Sequence, residues 1–214
     1  MWEAYLNFIL LGVNILLWLI LLKNLNKPLK VLGIVLLVTM GAELYAFNLM
    51  LRRANNLFIF HILVPVQYIF YCVILYFELH STFIRKAIIA SIFFLVAISI
   101  FFALNTQGVH EYNSYVIIYR HFFLVLWILT FFRQMFVKVE ISNPLYEPMF
   151  WLSTGLLFYS LGNFFIDGYM NFLIRKSLVV ARRIYFVNVL LGLFMYILFI
   201  VSFLSFKVAY KKGE

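Results

Sequence analysis

Apolar residues run along this chain in seven long blocks, and the short stretches between them hold most of the lysines, arginines, prolines and asparagines. The blocks cover roughly residues 5–22, 31–51, 57–77, 87–105, 114–136, 149–170 and 184–206. A helix rises about 1.5 Å per residue, so about 20 apolar residues match a hydrocarbon core about 30 Å thick. Seven membrane-spanning helices are predicted. No alternating strand pattern, Gly/Ser-rich linker or internal repeat interrupts them, so residues 1–214 are expected to form a single all-α, seven-helix membrane domain. The first block lacks a basic leader and a small-residue cleavage site and is long enough to span. It is expected to be a retained helix rather than a signal peptide.

Composition agrees with the pattern. The chain is 66% hydrophobic, 21% aromatic and 12% charged, whereas soluble domains are about 45–50% apolar and about 25% charged. Its net charge of +9 is spread over short loops, as topology signals are, and does not form a nucleic-acid footprint. Cys72 is the one cysteine. No intramolecular disulfide can form, and a small buried hydrophobe is its expected role.

Orientation follows from the basic residues. With the N-terminus outside, the inner side carries ten: Lys23, Lys27, Lys30, Arg85, Lys86, Arg133, Lys138, Lys207, Lys211 and Lys212. The outer side carries six: Arg52, Arg53, Arg175, Lys176, Arg182 and Arg183. The positive-inside rule therefore favours N-out and C-in, against the charge of the loop between helices 6 and 7.

Ionisable groups inside a span cost about 2.5–3.5 kcal/mol each and are functional candidates by default. Glu43, Arg120 and Asp167 fall within spans, joined by His61 and His121 and by the amides Asn14, Asn48, Gln67, Asn163 and Asn188. Counting from the span ends places nearly all of them in the outer half of the bilayer. Ser160, Asn163 and Asp167 follow i, i+3, i+7 spacing, as do Tyr185, Asn188 and Gly192, which predicts two inward stripes. His61, Pro65, Tyr68 and Cys72 share a face of helix 3, with Gln67 about 120° away from His61. Pro65 deletes the hydrogen bond to the His61 carbonyl and predicts a kink. Gly192 is a candidate for close helix approach.

Each group also has a structural reading. Glu43 and Asp167 can neutralise Arg120 as an ion-pair network. His61, Gln67, Asn163 and Asn188 can serve as interhelical hydrogen bonders. Arg120 and His121 are adjacent, so one of them is expected to reach the headgroups. Trp2, Tyr5, Tyr112, Tyr115 and Trp151 are expected in interfacial belts. Metal binding stays open on Glu43, His61, His121 and Asp167, but no histidine pair at i, i+4 supports it. No nucleophile motif, phosphate cradle or dinucleotide fingerprint is present, so no cofactor and no catalytic residue is assigned.

The order of these features carries a resemblance. A helix-2 glutamate precedes an Asn-rich start to helix 3 with His-x-x-x-Pro-x-Gln-Tyr. A tyrosine-rich loop leads into helix 5, and Phe150-Trp151 and GLLFYSLGNFF mark helix 6. This resembles a widespread family of seven-helix membrane proteins of Bacteroidota, similar to the membrane half of certain sensor histidine kinases. The resemblance implies an N-out, C-in ligand-sensing bundle in a bacterial inner membrane. The chain ends at KVAYKKGE, so output is expected to pass through a partner membrane or signalling protein.

Three functions follow. The first is a sensory or accessory protein that binds a small ligand or lipid headgroup among Glu43, His61, Arg120, His121, Asn163, Asp167 and Asn188. The second is a lipid-directed enzyme or transporter, with Arg175, Lys176, Arg182 and Arg183 on a headgroup. The third is a structural subunit of a membrane complex. The bilayer is the expected surrounding in all three, and nucleic acid is not an expected partner.

Overall fold

The structure, a computed structural model, describes residues 2–106, 108–137 and 143–212, with residues 208–212 described by backbone alone. Lys138 and the side chains of Lys211 and Lys212, counted above for orientation, lie outside the described residues. The described chain is all-helical, with no strands. Its helices are α1 (Trp2–Leu21), α2 (Lys27–Leu51), α3 (Leu57–Glu78), α4 (Thr82–Asn105), α5 (Ser114–Val137), α6 (Pro148–Lys176) and α7 (Leu178–Lys212), with a short 3₁₀ turn at Pro144–Tyr146.

All seven are long and apolar enough to cross a membrane. Large apolar side chains stand exposed around the bundle, among them Phe83 at 80%, Leu104 at 77% and Ile20 at 75%. Water would penalise so much bare apolar surface and lipid does not, so the chain is a multi-pass membrane protein.

Local chemistry sets the helix ends. Asn26 caps α2 by accepting from the Leu29 amide at 3.2 Å, and Pro28 occupies the first turn, where a missing N–H is harmless. The turn after α2 passes through Arg53 in the left-handed region, at φ 57°. Ser177 alone joins α6 to α7. Its extended backbone breaks the helix, and its carbonyl and hydroxyl take the Ala181 and Val180 amides at 3.0 and 3.4 Å.

That single-residue link corrects the expected boundaries of the last two helices. The stretch from Asn171 to Arg183, read from hydropathy as an outer loop, is helical up to and beyond Ser177. Charged residues end an apolar block without ending the backbone hydrogen-bond ladder, so α6 and α7 continue past the span.

Helix contacts close a ring in the order α1, α2, α3, α5, α6, α7 and back to α1. The α4 helix stands outside it, against α3 and α5. The α6–α7 hairpin is the tightest pair. A Cβ at Gly155 would lie 3.2 Å from Leu198 Cβ and 3.3 Å from the Met195 carbonyl, so glycine permits the approach. Gly192, the expected contact, instead faces Tyr159 Cε2 at an ordinary 3.8 Å.

Two regions differ along the ring axis. One contains Leu29, Leu32, Leu36, Ile74, Leu75, Phe199 and Phe203, all at most 1% exposed. The other lies toward the end that carries the chain's N-terminus, and polar side chains gather there.

Candidate functional site

Asp167 is the centre of the polar region. Its Oδ1 accepts from the Tyr112 hydroxyl at 2.6 Å and from Asn188 Nδ2 at 2.9 Å. Its Oδ2 lies 3.2 Å from His121 Nε2. The stripe Ser160, Asn163, Asp167 does face inward, with exposures of 0, 0 and 2%. Asn188, one turn from Gly192 on the α7 stripe, crosses to the same carboxyl group.

Arg120 continues the network on α5. Its Nη1 donates to Gln67 Oε1 at 3.0 Å, and its Nη2 lies 3.3 Å from His121 Nε2. Its guanidinium carbon is 5.8 Å from the centre of the Tyr159 ring, a cation–π contact. Gln67 in turn donates to Thr39 Oγ1 at 2.9 Å, so one amide joins α2, α3 and α5. His121 Nε2 thus faces both Asp167 and Arg120. An imidazole that donates there to the carboxylate leaves Nδ1 bare, and Nδ1 is buried with no partner.

Glu43 lies on α2, four residues beyond Thr39, and Asn7 of α1 donates to its carboxylate. It is not paired with Arg120. Among the described residues no carboxylate lies within 4 Å of the Arg120 guanidinium, so the expected Glu43–Arg120–Asp167 ion-pair network is not formed directly. His121 stands between Arg120 and Asp167, and Gln67 and Thr39 occupy the side toward Glu43.

Other expected placements also change. Arg120 and His121 are both buried, at 4% and 0%, so neither reaches the headgroups. His61 is apart from the network: its Nε2 donates to the Glu111 carbonyl at 3.0 Å and ties the α4–α5 loop to α3. Tyr112, expected in an interfacial belt, turns inward to Asp167, and Asn171 holds its carbonyl at 2.8 Å. Burial, reinforced by the Asp167 charge, pushes the Tyr112 phenol well above the usual tyrosine range. Trp2, Tyr5 and Tyr115 remain exposed. Asn48 is exposed, and Asn14 donates to the Tyr196 carbonyl of α7 at 3.0 Å.

Several polar side chains near this network keep accessible surface. Glu43 and Tyr159 are half-buried, and Tyr185, expected on an inward stripe, is 45% exposed. Tyr185 lies within electrostatic range of Glu3, Glu43, Tyr159 and Asp167, toward the end of the bundle that carries the N-terminus.

Buried polar atoms without partners border the same region: Arg120 Nε, Ser160 Oγ, and both amide atoms of Asn163. A buried donor or acceptor left unpaired costs about 1–3 kcal/mol, so such groups are normally met by water or a ligand. Pro65 lies within α3 and removes the donor for the His61 carbonyl, two residues before Gln67.

The basic residues at the α6–α7 turn take two forms. Arg175 pairs with Glu111 at 3.6 Å beside a cleft of about 260 Å³ lined by Thr106, Ser114, Tyr115, Gly168, Asn171 and Phe172. Lys176 lies over the Phe172 ring, while Arg182 and Arg183 are exposed on α7. Among the described residues no group of three or more His, Cys, Asp or Glu side chains is arranged to hold a metal.

Of the residues singled out from the sequence, the structure brings Arg120, His121, Asp167 and Asn188 into contact, and it adds Tyr112 and Tyr159, which the sequence reading did not place there. Tyr159 lies four residues before Asn163 and eight before Asp167, and that shared helix face is the signal that marks it. No protein-family model matches the chain, and neither a curated protein nor a solved structure is similar to it.

Proposed function

We propose that the protein is a membrane receptor or accessory subunit that binds a small polar ligand inside the six-helix ring and acts through a partner protein. One observation carries this reading: Glu43, Tyr159 and Tyr185 keep accessible surface close to unpartnered polar atoms on Arg120, Ser160 and Asn163. A bundle held together by polar pairs alone would leave neither, because its polar groups would satisfy one another.

Ligand binding would reorder contacts that join several helices. Gln67 links α2, α3 and α5, and Asp167 links α5, α6, α7 and the α4–α5 loop. A ligand that draws Arg120 toward itself loosens Gln67 beside Pro65, where α3 already lacks a hydrogen bond. Helices α5–α7 then carry the shift to the other membrane face, where a partner reads it.

The test is native mass spectrometry of the protein released directly from its native membranes, with affinity capture of associated proteins. Wild type should carry a small non-covalent adduct, and Arg120→Gln should lose it while still assembling. Wild type free of both ligand and partner overturns the reading.

A further inference from the structure

We infer that the ligand is amphoteric, a small molecule with an oxyanion for Arg120 and a primary ammonium for Glu43. The inference rests on the interior-site reading above and names the chemistry of the same site.

Arg120 supplies the anion end. Its guanidinium is 4% exposed, has no carboxylate within 4 Å among the described residues, and keeps an unpartnered Nε. Guanidinium donors match the oxygens of a carboxylate or phosphoryl group, and a buried cation with donors to spare favours such a guest. Asn163 has a second unpartnered donor, Nδ2, on the inward stripe of α6.

Glu43 supplies the cation end. It has one side-chain partner, the Asn7 amide, and no basic side chain within 4 Å among the described residues. It stands one helical turn from Thr39, about 6 Å away on the same face of α2. Thr39 and Arg120 are joined through the single amide of Gln67, so the two charged groups border one short stretch of the interior. Tyr71, Tyr159 and Tyr196 are within electrostatic range of both, and aromatic rings near the two groups suit an ammonium as well as the carbon body of the guest.

The two facing groups disfavour a guest with one charge alone. A simple anion would satisfy Arg120 and place its charge near a carboxylate, and a simple cation would meet an unneutralised guanidinium. An amino acid and a phosphoethanolamine group share the required chemistry.

The experiment uses the full chain in a non-ionic detergent and follows thermal unfolding by tryptophan fluorescence. The probes are glycine, 4-aminobutyrate, glutamate, O-phosphoethanolamine and phosphatidylethanolamine. Propionate, propylamine and inorganic phosphate serve as single-charge controls. At least one amphoteric probe should raise the midpoint by a few degrees in a dose-dependent manner, and the controls should not. A response to the amino acids identifies a free ligand, and a response confined to the phosphoethanolamine compounds identifies a lipid headgroup. Glu43→Gln should abolish the preference for amphoteric probes, and Arg120→Gln should abolish binding. If Arg120→Gln does not fold, wild-type selectivity together with Glu43→Gln decides.

No response to any amphoteric probe overturns the inference, as does an equal response to propionate or phosphate. In the second case the interior site survives and only its amphoteric character fails.

Discussion

Asp167 holds three donors drawn from the α4–α5 loop, α5 and α7, so its removal should be felt more than that of any other polar residue. Asp167→Ala leaves Tyr112, Asn188 and His121 without their acceptor and should cost about 3–5 kcal/mol, read as a lower thermal midpoint in detergent. Asp167→Asn keeps one acceptor oxygen and should lose less. Tyr112→Phe removes a hydrogen bond to a carboxylate and should cost about 1.5–3 kcal/mol at neutral pH. The raised Tyr112 phenol also fixes the sign of a pH effect. Folding favours its neutral form, so its contribution is complete below the ordinary tyrosine value of about 10 and declines as pH rises toward the folded-state value. Between pH 8 and 11.5 the midpoint of wild type should therefore fall more steeply than that of Tyr112→Phe. At this scale the sequence revealed facing but not partners. The Ser160–Asn163–Asp167 stripe is legible because helical periodicity fixes it. The inward turn of Tyr112 is not, since a tyrosine at a span end carries the same signal as a belt residue. Gln67 and His61 exchange roles because helical spacing fixes the angle between them but not which neighbour each meets.

Among the helices, the α6–α7 hairpin is set by close approach. Gly155→Val should destabilise by about 1–3 kcal/mol, because the new atoms meet Leu198 Cβ and the Met195 carbonyl, neither of which can rotate away. Gly192→Ala should be close to neutral, since 3.8 Å to Tyr159 is ordinary contact. Parallel unfolding curves of the two variants check the contrast. Both glycines lie at helical positions in apolar surroundings, so sequence alone does not rank them; the packing register of α6 on α7 does. The α6 and α7 ends illustrate a related limit. Hydropathy reports where an apolar block stops, and Arg175, Lys176, Arg182 and Arg183 mark that change in the sequence. Backbone hydrogen bonding continues past it, and only the extended Ser177 ends the helix.

For the whole molecule, seven spans were legible because bilayer thickness leaves so little choice. The closed six-helix ring and the exclusion of α4 were not, since all seven blocks are comparably apolar and which pairs touch is decided by packing. The balance of basic residues predicts an N-out orientation. In a Cys72→Ala background, Arg183→Cys should react with an impermeant thiol reagent on intact cells and Lys30→Cys only after lysis; the reverse pattern would invert the topology. The central claim is the proposed interior site between Glu43 and Arg120, open to water-borne ligands. It is tested most directly by labelling Tyr159→Cys in the same background with a small charged methanethiosulfonate, beside the fully buried control Leu95→Cys. Rapid modification of Tyr159→Cys with none at Leu95→Cys is the predicted result. Equal protection of both positions would contradict an accessible interior and the site built on it.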